Sequence, residues 1–242
     1  MLSIVADTHT HTIACNHAFS TLLENAVVAA KKGLKVIALT EHGPGLSGSP
    51  SPLYFQNMRV IPRYLHGVMI LKGVEANILD YNGSLDLEDS LLSKLELVIA
   101  SYHTPIMTPA TMLEHTNGWM RIANNPHVDI IGHCGTPYFD FEYLPVIREF
   151  ARTGKIVEIN NNSTKERPGS DIPCRKIAEL CAEHNVPVVV SSDAHFCEDV
   201  GRFDISLKIL RDIGFPNELV LNADYDRFIN AVSNVSGKNL TD

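Results

Sequence analysis

The sequence predicts an α/β fold, a closed (βα)7 barrel that is a distorted relative of the eight-stranded TIM-like barrel. Seven short apolar, β-branched runs have the character of buried parallel strands. Helical patterns separate most of them, which argues for βα units around a parallel sheet. The length of 242 residues suits such a barrel, with an open doubly wound sheet as the structural alternative. No Pro-, Gly- or Ser-rich linker and no internal repeat divides the chain, so residues 1–242 are read as a single domain.

Taken in order, the strands are expected at 3–7, 35–40, 68–75, 97–101, 129–132, 155–159 and 187–191. Thr21 followed by Glu24 has the form of a capping box and starts a helix over 22–32, which stops at Gly33. Helices over 109–124, 142–152 and 172–185 fall between later strands. Two more, at 204–213 and 224–235, follow the seventh strand, and residues 236–242 are expected to fray.

Composition narrows the class of function. Hydrophobic residues at 45% and charged residues at 20% fit a soluble globular protein. The first seven residues lack the basic start and apolar core of a signal peptide. No apolar run approaches the roughly 18–20 residues that cross a bilayer, so no membrane partner is expected. Five cysteines, an odd number without a CxxC pair, favour a reducing, cytoplasmic setting. A net charge of −8 with no basic stripe argues against a nucleic-acid partner. An anionic substrate would therefore need a local positive centre, which bound cations can supply. Assembly into a homo-oligomer is left open.

The strongest signal is where histidines and certain carboxylates fall. His9 and His11 close the first strand, and His17 follows in its loop. His42 closes the second strand, Glu75 the third, His103 the fourth and His133 the fifth, while Asp193 and His195 end the seventh. In a barrel these C-terminal strand ends converge on one face. Neutral imidazoles and carboxylates suit zinc and tolerate manganese or iron. Nine ligands exceed what one ion needs, so two or three ions fit, and Glu75 can bridge two of them. Simple alternation places Asp7, His9 and His11 on one face, with Asp7 deeper and able to hydrogen-bond a ligand histidine. His66, His115, His127 and His184 lie away from strand ends and are read as surface or helix residues. Cys134, beside His133, is read as a small buried thiol, whereas Cys15 and Cys197 lie in the ligand-bearing loops.

These motifs resemble the PHP (polymerase and histidinol phosphatase) family: DTHTHT at 7–12, TEHG at 40–43, GVEAN at 73–77, SYH at 101–103, IGH at 131–133 and SSDAH at 191–195. HAFST at 17–21, NMRVIPR at 57–63 and EINNNS at 158–163 are similar to the small stand-alone phosphatases of the YcdX type. The resemblance implies a (βα)7 barrel with three divalent ions, usually zinc. It assigns His9, His11, Glu75 and Asp193 to one ion. Glu75, His103 and His133 go to the second, and His17, His42 and His195 to the third. Glu41 departs from the pattern, which more often has Asp there, beside His42.

On that reading the chain is a phosphatase of small phosphate monoesters, with Asp193, Glu75 and His195 at the centre of the reaction. Three ions against two ligand carboxylates leave a local charge of about +4. Metal acidifies water to a pKa of about 7, and the resulting hydroxide would attack phosphorus. Arg59, Arg63 and Arg167 are candidate phosphate clamps, because a guanidinium fork matches phosphate oxygens. Asn161, with Asn160 and Asn162, follows the one strand end without a ligand and is placed at the substrate pocket. A related nuclease or amidohydrolase shares the ligand logic, and a non-catalytic metal-binding module ranks last because no ligand position is lost. The sequence has no GxSxG elbow and no Walker loop.

Overall fold

Thr21 and Thr111 each accept a hydrogen bond from the backbone three residues on, and Glu24 and Glu114 reach back to the threonine N–H, so both helices start at reciprocal capping boxes. The computed structural model describes residues 2–240. The chain begins with β1 (Ala6–Thr10), α1 (Leu22–Lys31), β2 (Val36–Leu39), α2 (Pro52–Asn57), β3 (Tyr64–Leu65) and β4 (Val68–Asn77). It continues through α3 (Asp89–Leu92), β5 (Leu97–Ser101), α4 (Met112–Ala123), β6 (Ile130–Ile131) and α5 (Tyr143–Thr153). Then come β7 (Ile156–Asn160), α6 (Ser163–Glu166), α7 (Asp171–Glu183), β8 (Val188–Ser191), α8 (Asp204–Asp212) and α9 (Tyr225–Ser236).

Seven strands run parallel in the order β1-β2-β4-β5-β6-β7-β8. The eighth, β3, hairpins antiparallel onto the start of β4, pairing Tyr64 with Met69 and Leu65 with Val68. Two residues are too few to show a periodicity, so the sequence gives no sign of it. The barrel nearly closes between β1 and β8. Thr10 bridges Ala194, and the His11 N–H donates to the Ala194 carbonyl at 2.9 Å. Below that point a side chain replaces the ladder. Buried Asn222 donates from Nδ2 to the Ala6 and Val190 carbonyls at 2.7 and 2.6 Å, and its Oδ1 accepts from the Val190 N–H at 3.0 Å.

Alternate strand residues divide the apolar core in two. Ala6, Val36, Met69, Leu71, Ile99, Ile130, Ile156 and Val189 belong to the barrel interior, and α9 plugs its lower end with Phe228, Ile229 and Val232. The opposite set, including Ile37, Ile70, Val98, Val157 and Val190, packs outward against the helices. The terminal segment corrects the expectation of fraying: α9 ends at left-handed Gly237, and Leu240 is buried in the interior cluster. Residues 241–242 lie outside the described residues. The first strand also starts later than expected, at Ala6 rather than residue 3. Its polar residues Thr8, His9 and Thr10 join the ladder because the upper barrel is a polar chamber, which an apolar-run criterion misses.

Candidate metal centre

The chamber begins with a bulge. Asp7 pairs with Ile37 but Thr10 with Leu39, so β1 spends one extra residue there and its alternation flips. Ala6 faces the interior, Asp7 faces away, and His9 and His11 face inward again. Asp7 therefore meets no histidine ring, contrary to the face that simple alternation gives it, and touches His9 only through a long bond from its backbone N–H at 3.5 Å. Its carboxylate accepts from the Ser192 and Gly201 N–H groups at 3.0 and 2.8 Å and anchors the loop after β8.

Glu75, on the inner face of β4, is the hub. Its Oε2 lies 3.3 Å from His9 Nε2, 3.7 Å from His11 Nε2 and 2.5 Å from His42 Nδ1. Its Oε1 lies 3.3 Å from His103 Nε2 and 2.8 Å from His133 Nε2. Asp193 Oδ1 stands 3.6 Å from His9 Nε2 and 3.3 Å from His11 Nε2. His17 Nε2 is 3.2 Å from His42 Nε2, and the His17 and His195 rings lie 4.9 Å apart. Four donor groups each have ligand atoms within 4.8 Å of one another: His9, His11 and Asp193; His42, Glu75 and His103; His11, His42 and His195; and His11, Cys15 and Glu41. All nine candidate ligands thus lie in one chamber, with His42 nearer Glu75 than the motif resemblance implies. His133 and Asp193 sit at positive φ, +21° and +55°, a conformation that non-glycine residues keep only where surroundings enforce it. Gly132 precedes His133 because a Cβ there would stand 2.1 Å from Ser101 Oγ.

The electrostatics fit divalent cations. Burial lowers the basicity of His11 and His103, and it lowers that of His17 to about 4, reinforced there by His42 and His195. These rings are therefore neutral and carry a lone pair. His9 is pulled the other way: burial opposes its charge, yet Glu158, Glu75 and Asp193 carry it well above the imidazole range. Burial would raise Glu75 and Asp193, but the surrounding imidazoles, and Arg167 for Asp193, hold both well below the usual carboxylate range. His9 Nε2, both His11 nitrogens, His42 Nδ1, His103 Nε2, His133 Nδ1 and Glu75 Oε2 are buried without a hydrogen-bond partner. Buried polar atoms are rarely left so, and imidazole nitrogens turned toward carboxylate oxygens are the donor set of zinc, manganese or iron.

Ring orientation is fixed from behind. His9 Nδ1 donates to Glu158 Oε1 at 2.7 Å, leaving Nε2 for the chamber. Glu158 also accepts from Ser191 Oγ at 2.5 Å and from the His133 N–H at 2.6 Å. His103 Nδ1 donates to Asn77 Oδ1 at 2.7 Å. The sequence reading missed Glu158 and Asn77 in these roles. The available signal was a lone carboxylate, on the inward parity of Ile156, in an otherwise apolar run. Glu41 lies 3.9 Å from His11 Nδ1 and accepts from the Thr12 backbone and hydroxyl and from Cys15 Sγ, so it serves the β1 loop. Burial pushes the Cys15 and Cys134 thiols up; Cys15 Sγ donates to Glu41 Oε2 at 2.9 Å, and Cys134 packs in the apolar core outside the barrel. His115 is buried on α4 with both ring nitrogens engaged, by Asp140 and Ala110.

Above the chamber opens a cavity of about 500 Å3 lined by His17, His195, Asp193, Asn161 and Arg167, among others. Arg167 Nη2 stands 3.5 Å from Asp193 Oδ2, which also accepts from Asn160 Nδ2 at 3.1 Å. Asn161 reaches the cavity, but its Oδ1 accepts from the Ile205 and Ser206 N–H groups at the start of α8. Arg59 and Arg63 require correction, because the α2–β3 segment carries the chain down the outside of the barrel. Arg63 pairs with Glu96 at 2.8 Å, just before β5 at the opposite end, and Arg59 is exposed away from the cavity. Lys165 and Arg202 line the cavity instead. Lys165 lies on the short helix α6 after β7 and Arg202 in the loop after β8, and the sequence reading named neither.

The family model described as PHP-associated matches residues 171–212. A probable phosphatase of Caldanaerobacter subterraneus subsp. tengcongensis is 48% identical over 93% of this chain and 90% of its own. Another, of Acetivibrio thermocellus, is 44% identical over 94% of each chain. Among solved structures, the histidinol phosphate phosphatase of Lactococcus lactis subsp. lactis Il1403, complexed with zinc, L-histidinol and phosphate, superposes with a TM-score of 0.58. It covers 91% of this chain and 94% of that one at 16% identity, a likeness of fold.

Proposed function

The chain belongs to the PHP family, among its small stand-alone probable phosphatases, and from this premise we propose that it hydrolyses small phosphate monoesters at a trinuclear divalent-metal centre, most simply of zinc. One observation carries the reading: seven histidines and two carboxylates converge from six strand ends, and six of them, His9, His11, His42, His103, His133 and Glu75, hold buried polar atoms with no hydrogen-bond partner. Glu75, central to the cluster, would be shared between two ions. His9, His11 and Asp193 would complete one ligand set, His103 and His133 the second, and His17, His42 and His195 the third.

Divalent ions, when bound, supply positive charge against phosphate and lower the pKa of water. The chain's own residues do the rest. Arg167 Nη1 is buried without a partner beside the cavity, so its guanidinium retains a free edge for a phosphate oxygen. Its other edge, near Asp193, keeps it from swinging out. Glu158 and Asn77 hold the His9 and His103 tautomers, and the deep walls exclude bulk water, which strengthens each charge interaction.

Elemental analysis of the purified protein, after growth with zinc and manganese, is expected to find about three divalent ions per chain, given three or four protein ligands per ion. Chelation is expected to abolish hydrolysis of phosphate monoesters and zinc to restore it. A content at or below about one ion per chain contradicts the trinuclear reading.

A further inference from the structure

The cavity above the chamber is larger than a phosphate group needs, and its rim carries two aromatic rings turned to solvent. Phe19 is 74% exposed and Phe196 47%, and both line the cavity with His17 and His195. Their positions are fixed. The Phe19 N–H donates to the His195 carbonyl at 2.8 Å, and the Cys197 N–H donates to Ser20 Oγ at 2.9 Å. Two neighbouring segments, each bearing a candidate ligand histidine, thus hold one phenyl ring apiece beside the reaction site. Other phenylalanines of the barrel, such as Phe139, Phe141 and Phe228, are buried. A pair left in water at one cavity mouth marks a binding surface more than a packing remainder.

Two other cationic side chains of the lining, Lys165 and Arg202, are largely self-neutralised. Lys165 pairs with Glu166 at 3.2 Å, and Arg202 with Asp199 and Asp204 at 3.1 and 3.4 Å. These paired cations offer little to a second anionic group, whereas the phenyl faces favour a flat, polarisable partner. From this juxtaposition we infer that the enzyme's substrates are monoesters whose leaving group carries an uncharged planar aromatic ring, seated on Phe19 and Phe196 while the phosphate reaches the metal chamber. The inference rests on the phosphatase reading. In the reaction, water oxygen forms a bond to phosphorus, the ester P–O bond breaks, and the aryl-bearing alkoxide leaves as the alcohol with a proton from that water.

Benzyl phosphate and cyclohexylmethyl phosphate test the inference, because they match in size and in leaving-group chemistry and differ in flatness. The metal-loaded wild-type protein is expected to favour benzyl phosphate in kcat/KM. The double variant Phe19→Leu/Phe196→Leu, which keeps apolar area but removes both π faces, is expected to lower the benzyl-to-cyclohexylmethyl ratio about tenfold, within the range of aromatic stacking on a ring. Fluorine NMR of 4-fluorobenzyl alcohol on the metal-free protein supplies a readout independent of turnover, and its binding is expected to weaken in the double variant. A ratio unchanged within about twofold, or alcohol binding unaffected by the substitutions, overturns the aromatic rim. If the wild-type protein hydrolyses neither ester, the phosphatase reading fails, and the NMR comparison still decides whether the rim binds a flat ring.

Discussion

Glu158 shows how much of the centre depends on residues that touch no substrate. It is fully buried, held well inside the charged range by His9 and His133 against the cost of burial, and it fixes His9 through Nδ1. A carboxylate behind a ligand histidine sets the tautomer and strengthens the nitrogen as a donor. Glu158→Gln keeps the shape and removes the charge, so metal affinity measured by chelator competition is expected to fall about ten- to a hundredfold. Affinity within about twofold of wild type would show that His9 needs no anionic partner. The nine candidate ligands were legible in the sequence because they cluster at or near C-terminal strand ends together with histidines, which spacing reveals. Glu158 was not, because no histidine accompanies it at the end of its strand, and its value depends on the parity of Ile156 and on what stands opposite. Asp7 was misplaced for a related reason: the bulge between Asp7 and Thr10 leaves no mark in residue spacing. The arginines split by path, Arg167 entering the cavity and Arg63 following α2 to the far end.

At the level of elements, apolar β-branched runs gave six strands to within two residues, since an interior strand must be apolar on both faces. β1 was displaced because its upper half faces a chamber that selects histidine and threonine. The barrel seam depends on a single side chain that no strand pattern announces. Asn222 supplies two donors and one acceptor where β1 and β8 lack a regular ladder. Asn222→Ala would leave three buried backbone groups unpaired, and at about 1 kcal/mol each the loss of unfolding free energy is expected to be about 3 kcal/mol. Chemical denaturation of the metal-free protein measures this directly. A loss below about 0.5 kcal/mol, the lower bound for one such bond, would mean that packing by α9 rather than hydrogen bonding closes the seam.

Across the whole molecule, charge separates the centre from its surroundings. The chain carries a net −8, while the three divalent ions proposed would, against Glu75, Asp193 and Glu158 and with Arg167 alongside, leave a pocket of about +4. Glu158 subtracts a charge that the sequence estimate had not included, and Arg167 returns it. A compact monoester dianion can enter such a pocket, but an extended polyanion must also lie along an acidic surface. Among the described residues no helix is long and apolar enough to cross a membrane. The barrel itself was legible from alternation and length. Its near closure through Thr10, Ala194 and Asn222 was not, since it depends on contacts between the first strand and segments 184 and 216 residues later.

The central claim, a metal-dependent monoesterase, is tested most directly by turnover of p-nitrophenyl phosphate, bis-p-nitrophenyl phosphate and single-stranded DNA by the metal-loaded protein at low and high salt. The monoester is expected to be the best substrate. Any cleavage of DNA is expected to be weak at low salt and not to fall as salt rises, because salt screens repulsion from the acidic surface. A protein built to bind nucleic acid behaves oppositely, losing affinity steeply through counterion release. If DNA is the best substrate and added salt abolishes its cleavage, the monoesterase account is wrong.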